Sequence, residues 1–221
     1  KAGTPTMGGI MFIIGAGVTV FVLGWGQMLN GKFTHLYVYL FALIFGLIGF
    51  VDDYLKVVHK QNLGLSARYK ILMQVVVTTA YLAAMQLNGT LSTSVSLPVL
   101  GRFDFGIAFY PLAYLVIIGF VNAVNLTDGL DGLCSSVTFV AMLGYMTIST
   151  LLGYYMMGIF GAAMAGGCAG FLFWNFYPAK VFMGDTGSMF LGGAVVTAAF
   201  GIGRPELLFL LGIIYLIEAG S

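Results

Sequence analysis

The sequence predicts an all-α fold, a polytopic membrane helix bundle with about eight transmembrane helices in a single domain, residues 1–221. Three observations predict it. The chain is 60% hydrophobic and only 8% charged, with a mean hydropathy of +1.00, whereas soluble domains carry roughly a quarter of their residues as charges. Its 32 glycines suit membrane helices, whose backbones approach closely at small residues. The apolar residues also fall into runs close to the ~17–25 residues that a bilayer-crossing helix requires.

Taken in order, the candidate spans are about 8–29, 35–51, 71–87, 107–124, 133–152, 156–176, 187–203 and 205–219. The run 133–176 is too long for one helix, and Gly153-Tyr154-Tyr155 offers a break. Gly201-Ile202-Gly203-Arg204-Pro205-Glu206 separates the last pair, Pro205 suiting the first turn of a new helix. Between the third and fourth spans, 88–106 alternates polar and apolar residues around Pro98 and Gly101 and reads as a small hairpin. Cys134 and Cys168 each stand alone in apolar runs, as small buried hydrophobes do. Trp25 and Trp174 sit near span ends like interfacial anchors. His35 and His59 lack metal-site spacing and read as loop or interfacial residues. The chain opens on Lys1 and stops inside an apolar run at Ser221, which reads as a segment cut at both ends from a longer membrane protein.

Alternating the spans puts Lys1, Lys56, Lys60, Arg68, Lys70 and Lys180 on one side, and Lys32, Arg102 and Arg204 on the other. Six against three assigns the first side to the cytoplasm. There is no basic stripe and the net charge is +1, so no nucleic-acid partner is expected.

Five of the eight acids lie in three motifs: Asp52-Asp53, Asn125-Leu-Thr-Asp128-Gly-Leu-Asp131-Gly132, and Phe182-Met-Gly-Asp185-Thr-Gly-Ser188. Span parity puts all three on the cytoplasmic side. Adjacent residues on a helix point ~100° apart, so Asp52 and Asp53 suit a division of labour. Carboxylates at the end of the second span would oppose the helix dipole. Asn125, Asp128 and Asp131 recur every third residue and would share one face if helical, although Thr127 or Asp128 could equally cap the fifth span. Asp185 and Ser188 could cap the seventh span, and the glycines there could present N–H groups to a phosphate. Asp185 would repel that phosphate unless a cation lay between them, and Mg²⁺ is bound in this manner by carboxylates plus substrate phosphates. Lys56 and Lys60, four apart, could together face a phosphate. The combination points to Mg²⁺-assisted phosphoryl chemistry between a soluble anionic substrate and a membrane-borne one. An ion-coupled transporter would carry its acids near the bilayer midplane rather than at span ends.

These motifs resemble the polyprenyl-phosphate N-acetylhexosamine-1-phosphate transferases. The words Lys1-Ala-Gly-Thr-Pro-Thr6-Met-Gly-Gly9 and Asn125-Leu-Thr-Asp-Gly-Leu-Asp-Gly-Leu133 are similar to the phospho-N-acetylmuramoyl-pentapeptide-transferase branch. The resemblance implies a single transferase domain within a ten-helix family fold, with a His-rich cytoplasmic loop following Ser221. It implies transfer of phospho-MurNAc-pentapeptide from UDP to undecaprenyl phosphate in the bacterial inner membrane, giving lipid I and UMP in peptidoglycan synthesis. The sister reaction on UDP-GlcNAc is the alternative, and a homodimer is the assembly implied. Asp185 matches the Mg²⁺ ligand, and Asp52, supported by Asp53, matches the residue that deprotonates or orients the lipid phosphate. Lys1, Thr6, Asn125, Asp128, Asp131, Asn175 and Phe182 match the nucleoside-sugar pocket, with Phe182 placed to stack on uracil and Asp131 to accept hydrogen bonds from the base.

Overall fold

The computed structural model describes residues 3–59, 63–97 and 101–221, so Lys1, Lys60 and Pro98 lie outside the described residues. Nine α-helices are present among the described residues: α1 (Gly9–Met28), α2 (Thr34–His59), α3 (Ala67–Leu87), α4 (Phe109–Thr127), α5 (Leu133–Leu151), α6 (Tyr155–Asn175), α7 (Gly184–Gly201), α8 (Leu207–Leu211) and α9 (Ile213–Gly220). Helices α1 to α6 are long and apolar enough to cross a membrane. The expected hairpin is there as β1 (Ser94–Leu97) and β2 (Gly101–Asp104), antiparallel, with Val95 opposite Phe103.

The bundle is organised around α7. Every residue of α7 from Thr186 to Phe200 is buried, and α1, α2, α4, α5 and α6 all pack on it. Its small residues make that enclosure feasible, since glycine lets helix axes close up. A Cβ at Gly193 would lie 3.0 Å from Ala42 Cα on α2, and one at Gly192 would lie 2.9 Å from Val121 Cα on α4. The contact is tightest at Gly49 of α2, where a Cβ would collide with the Asp185 carbonyl. Polar ties fix the registers: Thr197 Oγ1 donates to Val38 O at 3.3 Å, Tyr81 Oη to Thr197 O at 3.3 Å, and Gln74 and Asn122 exchange amide hydrogen bonds of 3.2 and 2.7 Å between α3 and α4.

Three expectations change. The second span does not stop at residue 51; α2 continues through Asp52 and Asp53 to His59. Hydropathy falls there, but no Gly or Pro interrupts 51–59 and Lys56 pairs with Asp52 one turn back. The aspartates therefore sit about two turns inside the helix and escape the dipole conflict. The eighth span, 205–219, is two short helices broken at Gly212, which lies against the Phe120 ring. His35 is not a loop residue; it lies in the first turn of α2, fully buried against Gly24 of α1. His59 does sit exposed at the end of α2. Cys134 and Cys168 are buried and free, and Trp25 and Trp174 are exposed near helix ends.

Candidate active site

The C-terminal ends of α2, α4 and α6 and the N-terminal ends of α1, α3, α5 and α7 meet at one end of the bundle, as alternating spans require. There the first and third acidic motifs converge. Asp52, Asp53 and Asp185 each present a carboxylate oxygen, and these atoms lie within 4.8 Å of one another although Asp185 is 132 residues beyond Asp53.

Each carboxylate is held differently. Asp53 is buried and caps α7 from outside: Oδ1 accepts the Asp185 N–H at 3.2 Å, and Oδ2 accepts the Thr186 N–H at 2.8 Å and its hydroxyl at 2.7 Å. It satisfies donors that a helix start leaves open. Those N–H groups are therefore already bonded rather than presented to a phosphate, and Asp185 and Ser188 do not cap their own helix. Gly184, at φ +70°, makes the turn, and its missing Cβ leaves room for the Asp53 carboxylate and Thr6 Oγ1.

Asp52 is also buried. Its Oδ1 accepts the Leu65 N–H at 2.8 Å, and Lys56 Nζ lies 2.5 Å from its Oδ2. The 63–66 loop closes on it because Gly64 has no side chain; a Cβ there would stand 2.6 Å from Asp52 Oδ1. Asp185 Oδ2 receives Lys56 at 3.0 Å and Lys70 at 2.8 Å, while its Oδ1 receives the Asn125 amide at 3.2 Å. Asn125 also donates to Ser188 Oγ at 2.7 Å, which fixes α4 against the first turn of α7.

The second motif divides. Helix α4 ends at Thr127, so Asn125, Asp128 and Asp131 do not share one helical face. Asn125 joins the carboxylate cluster, whereas Asp131 Oδ2 accepts the Ala179 N–H at 3.0 Å and secures the loop after α6. Asn175 is buried in the scaffold, accepting from Ser135 at 3.0 Å and donating to Val181 O at 3.0 Å. Phe182 and Thr6 lie on two segments clasped by main-chain bonds: Phe182 N to Pro5 O, Gly8 N to Phe182 O, and Gly9 N to Met183 O, at 2.9, 2.9 and 3.1 Å. That clasp brings the segment 5–9 against the chain just before α7 and Asp185.

Sequence reasoning did not single out Lys70, Thr186 or Gly64 for the site, and read Ser188 only as a candidate cap of its own helix. Lys70 was legible only as one of several basic residues near a span, and nothing local marks it as facing Asp185 from α3. With both lysines charged, three carboxylates and two ammoniums leave the cluster one negative charge in excess. Hard carboxylate oxygens from two helices, so spaced, fit an Mg²⁺-type cation, which takes oxygen ligands and keeps substrate oxygens and waters in its remaining positions.

The profile of glycosyl transferase family 4 matches residues 35–202, the stretch that contains all three carboxylates. The chain belongs to this family. A phospho-N-acetylmuramoyl-pentapeptide-transferase signature also matches residues 1–13, which include the stretch 5–9 clasped to Phe182 and Met183. Phospho-N-acetylmuramoyl-pentapeptide-transferases from Heliobacterium modesticaldum, Caldicellulosiruptor bescii and Clostridium botulinum are 45%, 43% and 40% identical to it over the whole chain. The chain spans 68%, 67% and 67% of the length of those relatives.

Proposed function

We propose that the protein transfers phospho-MurNAc-pentapeptide from UDP to undecaprenyl phosphate, giving lipid I and UMP, at the cytoplasmic face of a bacterial inner membrane. The observation that carries this reading is the convergence of Asp52, Asp53 and Asp185, flanked by Lys56 and Lys70, at one end of a membrane helix bundle. The names of the relatives and the signature over residues 1–13 support the transferred group, phospho-N-acetylmuramoyl-pentapeptide. The excess of Lys and Arg on the side that holds the site supports its cytoplasmic placement.

Mg²⁺, when bound, would be held by Asp185 with its neighbouring carboxylates and would neutralise phosphate charge. Asp53 positions Asp185 through the α7 cap, and Asn125 holds it from the opposite side. Asp52 acts as a positioner more than as a base, since both its oxygens are engaged and a phosphate monoester is largely ionised near neutral pH. Lys56 and Lys70 offset the charge of the incoming phosphates, and Lys60 follows on the same chain segment. The loop carrying Phe182, the clasped Thr6 segment with Lys1, and the Asp128–Asp131 turn with Asn175 behind it form the nucleoside-sugar side. There Phe182 stacks on uracil and Asp131 faces the base.

The test is UMP release by the purified protein, assayed with UDP-MurNAc-pentapeptide and with UDP-GlcNAc. Release from the muramoyl substrate, dependent on both Mg²⁺ and polyprenyl phosphate, is the expected result. Preference for UDP-GlcNAc would move the assignment to the sister reaction.

A further inference from the structure

We propose that Lys56 is a tethered cation that holds the carboxylate cluster in the resting protein and leaves it when a divalent cation and a nucleoside diphosphate arrive, its ammonium then passing to the phosphates. This rests on the reading of the cluster as a metal site. Lys56 Nζ lies 2.5 Å from Asp52 Oδ2, 3.0 Å from Asp185 Oδ2 and 3.9 Å from Asp53 Oδ1, so a single ammonium engages all three acids. Among the described residues no other cation does this; Lys70 meets Asp185 at 2.8 Å and Asp52 at 3.8 Å.

An ammonium is a compact charge with three donors, and here it is directed at the same oxygens a hard cation would need. Lys56 and Lys70 already share Asp185 Oδ2, and a divalent ion added to this partly buried site would repel both ammoniums far more strongly than in water. Exposure decides which lysine yields. The side chain of Lys56 is 33% exposed against 16% for Lys70, and it stands in the last turn of α2 on a flexible four-carbon stem. Lys56 thus has a path to solvent and to an arriving phosphate, while Lys70 stays on Asp185. Metal and nucleotide each favour the conformation with Lys56 outside the cluster, so each tightens the other by the same factor.

The experiment is a Mn²⁺ titration of the purified chain by electron paramagnetic resonance, with and without UDP, each variant checked for monodispersity and melting. Wild type is expected to bind Mn²⁺ in a manner that UDP strengthens and Asp185→Asn removes. Lys56→Met should bind Mn²⁺ several-fold more tightly in the absence of nucleotide and lose most of the gain from UDP. A folded Lys56→Met with unchanged or weaker Mn²⁺ affinity overturns the tether and leaves the metal reading standing. Absence of any Asp185-dependent Mn²⁺ binding in wild type overturns both. A second measurement serves if Lys56→Met does not fold: acylation of Lys56 in wild type, followed by mass spectrometry. Mg²⁺ should raise its labelling and added UDP should lower it again; labelling that ignores Mg²⁺ overturns the proposal.

Discussion

At the residue scale, Asp53 shows how a carboxylate in an acidic motif can serve the site through structure. All its hydrogen bonds go to the start of α7, and Lys56 Nζ stands 3.9 Å from its Oδ1. Replacing a helix cap by alanine costs about 0.5–2 kcal/mol, and the loss here also orphans buried donors. Asp53→Ala is therefore expected to lower the melting temperature and, by releasing Asp185, to reduce UMP release more than its stability loss explains. Asp53→Asn keeps one acceptor oxygen and should recover part of the stability. If Asp53→Ala melted like wild type, the cap would not be doing this work. The sequence made Asp53 visible as an acid beside Asp52, but its partners lie on another helix 132 residues away, and no local pattern reports them.

Among the elements, the pairing of α2 with α7 is what brings two acidic motifs together. Six spans were legible because apolar runs of bilayer length leave a helix few alternatives. The run 187–203 also marked α7, but its Gly- and Ala-rich sequence did not reveal that the helix fills the centre of the bundle. The extension of α2 past residue 51 was hidden because polarity ends an apolar run without ending a helix; the Asp52–Lys56 pair carries it onward. In the same way a third-residue spacing suggested one face for Asn125, Asp128 and Asp131, whereas the helix stops at Thr127 and sends them to different partners. Gly49 is the critical small residue of the α2–α7 contact. Gly49→Ala is expected to destabilise by about 1–3 kcal/mol, as overpacking does, with loss of activity at temperatures where the variant remains folded. Differential scanning fluorimetry alongside the UMP assay measures both, and an unperturbed Gly49→Ala would refute the close approach.

For the whole molecule, one end carries the site and the other the β1–β2 hairpin, so the membrane orientation is open to direct measurement. Tyr177, beside the site, is 79% exposed, and Phe103, in the hairpin, is 46% exposed. The native cysteines are buried and give little background. In intact cells a membrane-impermeant maleimide should label Phe103→Cys, and should label Tyr177→Cys only after permeabilisation. The opposite pattern would invert the orientation read from the basic residues.

The central claim is that the three converging carboxylates carry out the transfer, with Asp185 at their centre. Asp185→Asn keeps the size of the side chain and removes its charge. UMP release from UDP-MurNAc-pentapeptide by this variant, compared with wild type at equal folded concentration, tests the claim most directly. The expected result is a loss of about 10²-fold or more, the scale seen when a key charge-stabilising group is removed, with the melting temperature little changed. Wild-type release by a folded Asp185→Asn protein would contradict it.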